Sequence, residues 1–181
     1  VQVEDVHTVV AYNGTNSLST TTIVEGLLGS HQYSFSAVAL SNAGKSEYSH
    51  PHTATTAPSA VTEIATTMQT TTSITLTWQA LNAYDIQSYK VNATSQTGAQ
   101  HPTIVAYDGA GSTATTATVS GLEGGRLYSF VVSGVSAAGE GAPSAAFTQS
   151  TSPGAPSGLT SVVQTTSSIT LEWTAPAEHG G

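Results

Sequence analysis

The chain has 181 residues, a formal net charge of −8 and no cysteine, so disulfides and thiolate metal sites are excluded. Its three basic residues, Lys45, Lys90 and Arg126, are too few to bind a nucleic acid or to form a polybasic membrane patch. No apolar run of about 18 residues predicts a membrane span. Ser and Thr together number 54, which predicts a neutral, hydroxyl-rich surface.

The first 57 residues are predicted to form short strands. The segment Val9–Gly14 reads VVAYNG and ends in a turn-forming Asn–Gly pair. Further along, Tyr33 and Phe35 begin a row of apolar residues that alternate with polar ones, and this period of two indicates a strand with one buried face. Tyr33 and Leu27 are the expected core residues of this segment.

Residues 58–152 show the same period of two throughout and no helical periodicity. Ile74, Leu76 and Trp78 point to one side of a strand whose other side carries hydroxyls. The turn and strand signals predict seven strands, at 60–67, 73–79, 86–95, 102–107, 113–120, 126–137 and 142–150. Large aromatic side chains bury the most area in a small core. We expect the core anchors to be Trp78, Tyr89, Leu122 and Tyr128.

An internal repeat relates the two ends of the chain to its middle. Gln69–Trp78 reads QTTTSITLTW and Gln164–Trp173 reads QTTSSITLEW, an offset of 95 residues. The alignment of the two repeats is expected to shift by three residues near Pro58 and Pro156 and to return to the offset of 95 residues before the Trp. A period near 95 is too long for a solenoid repeat and matches one small domain.

The positions of the ends within this period predict three segments. Residues 1–57 form the second half of a domain, 58–152 a complete domain, and 153–181 the first strands of a third. Trp173 is the expected core residue of the third segment, as the counterpart of Trp78.

These features resemble the fibronectin type III family over the whole chain. A Pro opens each unit, Trp78 or Trp173 lies on the second strand, and Tyr89 lies on the third. Gly–Leu pairs precede the sixth strand, which carries Tyr128 or Tyr33. The segments SAAGEGAPS and SNAGKSEYS are similar to the family's turn into the seventh strand.

The resemblance implies an all-β fold of tandem antiparallel, immunoglobulin-like sandwiches. It also implies that Tyr128 and Tyr33 are tyrosine-corner residues, whose hydroxyls bond to the backbone upstream. The Arg-Gly-Asp tripeptide by which some members bind integrins is absent from this sequence.

The sequence predicts no catalytic residue, no cofactor and no metal site. Its six histidines do not recur at the repeat offset, and no nucleophile elbow or phosphate-binding glycine loop is present. His50-Pro-His52 offers only two imidazoles, and Asp85 with Glu140 would be a sparse calcium site. The chain is therefore expected to be non-enzymatic.

Two N-glycosylation patterns occur, at Asn13 (Asn-Gly-Thr) and Asn92 (Asn-Ala-Thr). Asn13 is predicted on a turn and Asn92 on the outer face of a strand, so both should be accessible to modification.

Three functions fit this sequence. The first is an extracellular or cell-surface structural segment of a large surface or filament-forming protein. The second is a ligand-binding adhesion or receptor module, and the third is an accessory module of a secreted carbohydrate-active enzyme. The expected partners are further copies of the repeat, in cis or in neighbouring chains, with protein or glycan ligands as a further possibility. Between neighbouring chains, Trp173 is expected to lie beside Tyr33.

Overall fold

The computed structural model describes residues 10–14, 17–81, 85–96 and 103–176, with the backbone alone at 103–105. Every regular element within these ranges is a β-strand. In chain order the strands are β1 (Gln32–Phe35), β2 (Leu40–Ser41), β3 (Gly44–Lys45), β4 (His52–Thr55), β5 (Ala65–Gln69), β6 (Ser73–Thr77), β7 (Ile86–Ser95), β8 (Thr103–Asp108), β9 (Thr116–Ser120), β10 (Leu127–Ser136), β11 (Gly139–Glu140), β12 (Phe147–Ser150), β13 (Ser157–Gln164) and β14 (Ile169–Thr174).

The strands from β5 to β12 form two antiparallel sheets, and we call this part the middle unit. One sheet has the order β5-β6-β9. The other has the order β11-β10-β7-β8, with β12 also paired to β10. This is the sandwich that the alternating pattern predicted.

The core lies between the inner faces of these two sheets. On β6, Ile74 and Leu76 have no exposed surface, whereas Thr75 faces outward and its hydroxyl lies 2.9 Å from that of Thr118 on β9. Trp78 packs edge-on against Tyr89 with their ring centroids 5.4 Å apart. The buried apolar residues are Val61, Ile74, Leu76, Trp78, Tyr89, Val91, Ala93, Ala117, Val119, Leu122, Tyr128, Phe130 and Val132.

Strand boundaries in the middle unit agree with the predictions to different degrees. The strand predicted at 86–95 has the bounds of β7. The strand predicted at 60–67 begins only at Ala65, because Glu63 has a left-handed φ of 55° that interrupts an extended backbone. The strand predicted at 142–150 is shortened to Phe147–Ser150. The first residue of the strand predicted at 102–107 lies outside the described residues.

The segments before and after the middle unit are two-stranded pieces, which we call the first unit (described residues up to 57) and the third unit (153–176). In the first unit β1 pairs with β4 and β2 with β3; in the third, β13 pairs with β14. Their registers repeat those of the middle unit. Gln164 pairs with Ile169 as Gln69 pairs with Ile74, and each hairpin carries an irregularity at the same place.

Among the described residues of the first and third units, Ser30 alone is buried. Tyr33 and Leu27 are half-buried, and Trp173 is 57% exposed, against 5% for Trp78. Among the described residues no second sheet packs against β14, so Trp173, which the sequence predicted to lie in a core, is at the surface.

The expected slip of three residues near Pro58 and Pro156 is wrong. The left-handed φ of Glu63 recurs at Gly158, with a φ of 65°, at the unchanged offset of 95 residues. The counterpart of Pro58 is therefore Pro153, and Pro156 is a second proline within the same segment.

Candidate functional site

The ionisable side chains are scattered over the described surface. No group of three or more His, Asp or Glu residues in the described ranges could hold a metal ion. His50 and His52 are exposed, and Glu140 lies 3.4 Å from the ammonium of Lys90 in an ion pair. The residues that were considered for metal binding are thus not assembled into one site.

A shallow, open groove lies where the middle unit meets the third unit. Thr71, Thr72 and Gly124 form one wall, and residues such as Gly154 and Pro176 form the other. Its lining contains hydroxyls, small side chains and proline but no ionisable group. Its serine and threonine hydroxyls therefore have no ionisable side chain beside them in the lining that could activate them.

Tyrosine hydroxyls hold loop backbone at equivalent places in the units. The hydroxyl of Tyr128 accepts a hydrogen bond from the amide of Glu123 at 2.9 Å, and that of Tyr33 accepts one from the amide of Leu28 at 2.8 Å. These are the bonds that the tyrosine-corner resemblance implies. The hydroxyl of Tyr89 makes a similar bond, accepting from the amide of Leu81 at 3.0 Å.

A threonine fastens the end of each unit to its own turn. The hydroxyl of Thr151 donates to the carbonyl of Glu123 at 2.6 Å and accepts from the amide of Arg126 at 3.0 Å. Thr56, its counterpart at the repeat offset, makes the same pair of bonds at 2.5 and 3.1 Å. The residues that leave the last strand are therefore held by two side-chain bonds in both units.

The residues between units are also bonded into the sandwiches. The carbonyl of Ser152 accepts from Gly125 at 3.0 Å, and its amide donates to Thr70 at 2.9 Å. The carbonyl of Ala57 accepts from Ser30 at 3.0 Å, the counterpart of the Gly125 bond. Consequently neither connection has a free stretch of chain directly after the last strand.

Pro58 packs against the strands of the middle unit at the start of that unit. It is buried, and its carbonyl accepts from the amide of Ala142 at 3.0 Å. A Cβ on Gly134 would approach the Pro58 ring at 3.3 Å, and one on Gly141 would collide with Pro58. On the other side, a Cβ on Gly29 would lie 2.8 Å from the backbone nitrogen of Ser59, so the first unit also approaches this connection closely.

The sequence reasoning missed the roles of Thr56, Thr151 and a serine pair. The Ser144 hydroxyl accepts from the amide of Val132 at 3.0 Å, at a point where β10 lies between its pairings with β11 and β12. Ser49 does the same for Ala37. Both pairs recur at the repeat offset, which is the signal that could have identified them.

The two glycosylation patterns lie in different surroundings. Asn13 is exposed and outside any strand, and the Thr of its pattern lies outside the described residues. Asn92 is half-buried on β7, opposite Val131, on the sheet face away from the core. Glycosylation at either residue stays a prediction, which the intact mass of the protein expressed in a eukaryotic secretory system would check.

Within the described ranges no helix is long and apolar enough to cross a membrane.

Comparison with known proteins places the fold and the sequence in one family. The family model for the fibronectin type III domain matches residues 59–150. Chitinase A1 of Niallia circulans is 39% identical over an alignment of 147 residues, and the match covers 72% of this chain and 19% of that enzyme. The chain thus spans about a fifth of the curated relative that it matches.

Two solved structures of fibronectin type III domains are similar to this chain. A two-domain fibronectin type III segment from chicken tenascin is 24% identical, with a TM-score of 0.50, and the match covers 74% of this chain and 72% of that one. The FN5 domain of Drosophila Lar is 23% identical, with a TM-score of 0.43, covering 54% of this chain and 99% of that one. On the match of the family model, which spans half the chain, this protein belongs to the fibronectin type III domain family.

Proposed function

We propose that this chain is a non-catalytic spacer that sets the distance between other parts of a secreted, carbohydrate-active enzyme. The observation that carries the proposal is the way the connections between units are held. Thr151 and Ser152 are bonded to the turns of the middle unit, and Pro58 is buried against its strands. Because these bonds hold the end residues of the middle unit to its own strands and turns, little free chain is left between units, and this favours a semi-rigid rod over a flexible tether.

The setting of the proposal comes from the relative. A region similar to this chain occurs in a chitinase, and most of that enzyme lies outside the matched part. The hydroxyl-rich surface with few charged residues and the absence of cysteine suit a module that keeps its neighbours apart without binding them. An extracellular location is part of this proposal.

Amide hydrogen exchange of the whole chain, followed by NMR, tests the spacer role. The amides of Ala142, Gly125 and Ser152 should exchange as slowly as strand amides, because their bonds involve the connecting residues. The exposed turn residue Ala137 serves as the fast-exchanging control. If all three amides exchange at the rate of Ala137, the connections are flexible and the rod-like spacer is wrong.

A second measurement separates the spacer from a ligand-binding module. The chain is mixed with insoluble chitin, and both the bound fraction and the released sugar are measured. A spacer should remain in solution and release no sugar. Saturable retention on chitin would instead support the binding function.

A further inference from the structure

The first and last segments of the middle unit lie side by side, although they belong to different sheets. β5 is an edge strand of one sheet, whereas β12 pairs with β10 in the other. Two backbone bonds join the segments that contain these strands. The amide of Ala142 donates to the carbonyl of Pro58 at 3.0 Å, and the amide of Ser152 donates to the carbonyl of Thr70 at 2.9 Å. The two ends of the unit are therefore bonded to each other.

Side chains join the same two segments between these backbone bonds. The Nε2 atom of Gln149 on β12 donates to Oε1 of Gln69 on β5 at 2.6 Å. The hydroxyl of Thr66, also on β5, donates to Oε1 of Gln149 at 3.4 Å. We call these two bonds the glutamine bridge. It connects the two sheets through side chains, and its central residue, Gln149, is half-buried.

The bonds follow both segments in the same direction along the chain. In the first segment the bonded positions run from Pro58 through Gln69 to Thr70, and their partners run from Ala142 through Gln149 to Ser152. The two segments are thus parallel. Tension along the chain would enter the unit before Pro58 and leave it after Ser152, so it would pull the parallel segments in opposite directions. Segments that slide past each other in this way must break the bonds between them together rather than one after another.

We propose that the glutamine bridge resists unfolding of the middle unit when the chain is under tension. Unfolding by force is governed by the rate of unfolding. A bond that must break before the two segments separate lowers this rate, even when it adds little to the equilibrium stability. The inference holds whether or not the chain is a spacer within an enzyme.

The repeat indicates that the bridge is a property of the middle unit rather than of every unit. At the offset of 95 residues Gln149 corresponds to Ala54. Ala54 pairs with Tyr33 as Gln149 pairs with Tyr128, so the two positions are equivalent in the sheet. An alanine side chain cannot form the bridge. Since the first unit has alanine at this position, Gln149→Ala is expected to fold.

Single-molecule stretching of the whole chain between its two ends tests the proposal. Residues 58–152 should extend in a single step of about 300 Å, because an extended chain spans about 3.3–3.6 Å per residue. Gln149→Ala should raise the rate of this step at a given force by about fivefold, which is the effect on a rate of losing one ordinary hydrogen bond. Dispersed amide signals in proton NMR confirm that the variant is folded.

Gln69→Ala tests the same bond from an exposed position and leaves Gln149 in place. It should raise the rate as much as Gln149→Ala does. The double variant should be little faster than either single variant, because the two side chains act as a pair. A double variant whose effect is the product of the two single effects would show that they act independently and would overturn the proposal.

Thr118→Ala is the matched control. It also removes a bond between two side chains on neighbouring strands, since the Thr118 hydroxyl on β9 lies 2.9 Å from that of Thr75 on β6. Neither strand leads directly into an end of the unit, so the rate should change by less than about twofold. The proposal is wrong if Gln149→Ala extends no faster than the unaltered chain, or if Thr118→Ala has the same effect.

Discussion

At the scale of single residues, aromatic side chains hold the middle unit in two ways. Trp78 fills the space between the sheets beside Tyr89, and its buried indole nitrogen has no hydrogen-bond partner among the described residues. Tyr128 also contributes a ring to the core, but its hydroxyl holds the amide of Glu123 as well. The first side chain acts through packing alone, and the second through packing and a hydrogen bond.

Trp78→Ala should lower the free energy of unfolding by about 3–5 kcal/mol, because it leaves a large cavity between the sheets. Trp78→Phe should cost clearly less, since much of the ring volume remains and the indole makes no hydrogen bond to a described residue that could be lost. Denaturant unfolding of the whole chain measures both. A Trp78→Ala protein with unchanged stability would contradict the sandwich assignment.

Tyr128→Phe should cost about 1 kcal/mol, because the ring stays and the bond to Glu123 is lost. Tyr107→Phe is the control: Tyr107 packs against the same core, and its hydroxyl makes no hydrogen bond to a described residue. Equal melting temperatures for the two variants would mean that the tyrosine-corner bond contributes nothing measurable.

At the scale of elements, hydroxyl side chains replace backbone pairing where the strands of the middle unit separate. Between its pairings with β11 and β12, β10 bonds to Ser144 through both the backbone and the hydroxyl of that serine. Beyond β12, the hydroxyl of Thr151 donates to the carbonyl of Glu123, in the turn before β10. Short strands can thus be joined without leaving buried amides unsatisfied.

Ser144→Ala should destabilise the chain by about 1–3 kcal/mol, because the buried amide of Val132 loses its acceptor. Thr148→Ala removes a hydroxyl from the outer face of the sheet, at an exposed position of β12. It should change the free energy of unfolding by less than about 0.5 kcal/mol. Thermal unfolding of both variants makes the comparison; a neutral Ser144→Ala would exclude this role.

A turn glycine is tested in the same way. Gly121, before the core residue Leu122, has a left-handed φ of 76°. Gly121→Ala should cost about 1–2 kcal/mol, although the site has open space around it. Ser120→Ala is the control, because it places an alanine at the exposed neighbouring position, whose φ is not left-handed.

At the scale of the whole molecule, the stability of the chain is concentrated in one unit. Every buried apolar residue of the core lies between Val61 and Val132. The first and third units have strand pairings of their own but no closed core within the described residues. A sheet without a second layer is not independently stable in water.

Residues 58–152 should therefore fold as an isolated fragment, and residues 1–57 should not. Proton NMR of the two fragments checks this, with dispersed amide signals expected from the first and collapsed ones from the second. Dispersed signals from 1–57 would show that the domain boundary at residue 57 is misplaced.

The sequence by itself determined the local features of this protein. The alternation around Trp78 and the position of β7 follow from period-two patterning, which depends on neighbouring residues alone, whereas the two tyrosine corners were expected from the resemblance to the fibronectin type III family. For the same reason β13 and β14 adopt the register of β5 and β6, including its irregularity.

Only the tertiary structure decided which of the two similar segments, Gln69–Trp78 or Gln164–Trp173, is buried. Trp173 and Trp78 have nearly the same neighbours in the chain, yet one is exposed and the other is in the core. Residues 21–25, which correspond to β9 at the repeat offset, form no strand where β9 does. The physical reason is that burial and edge pairing require a second sheet or a neighbouring strand. Such partners come from distant parts of the chain, so no local pattern can show whether they are present.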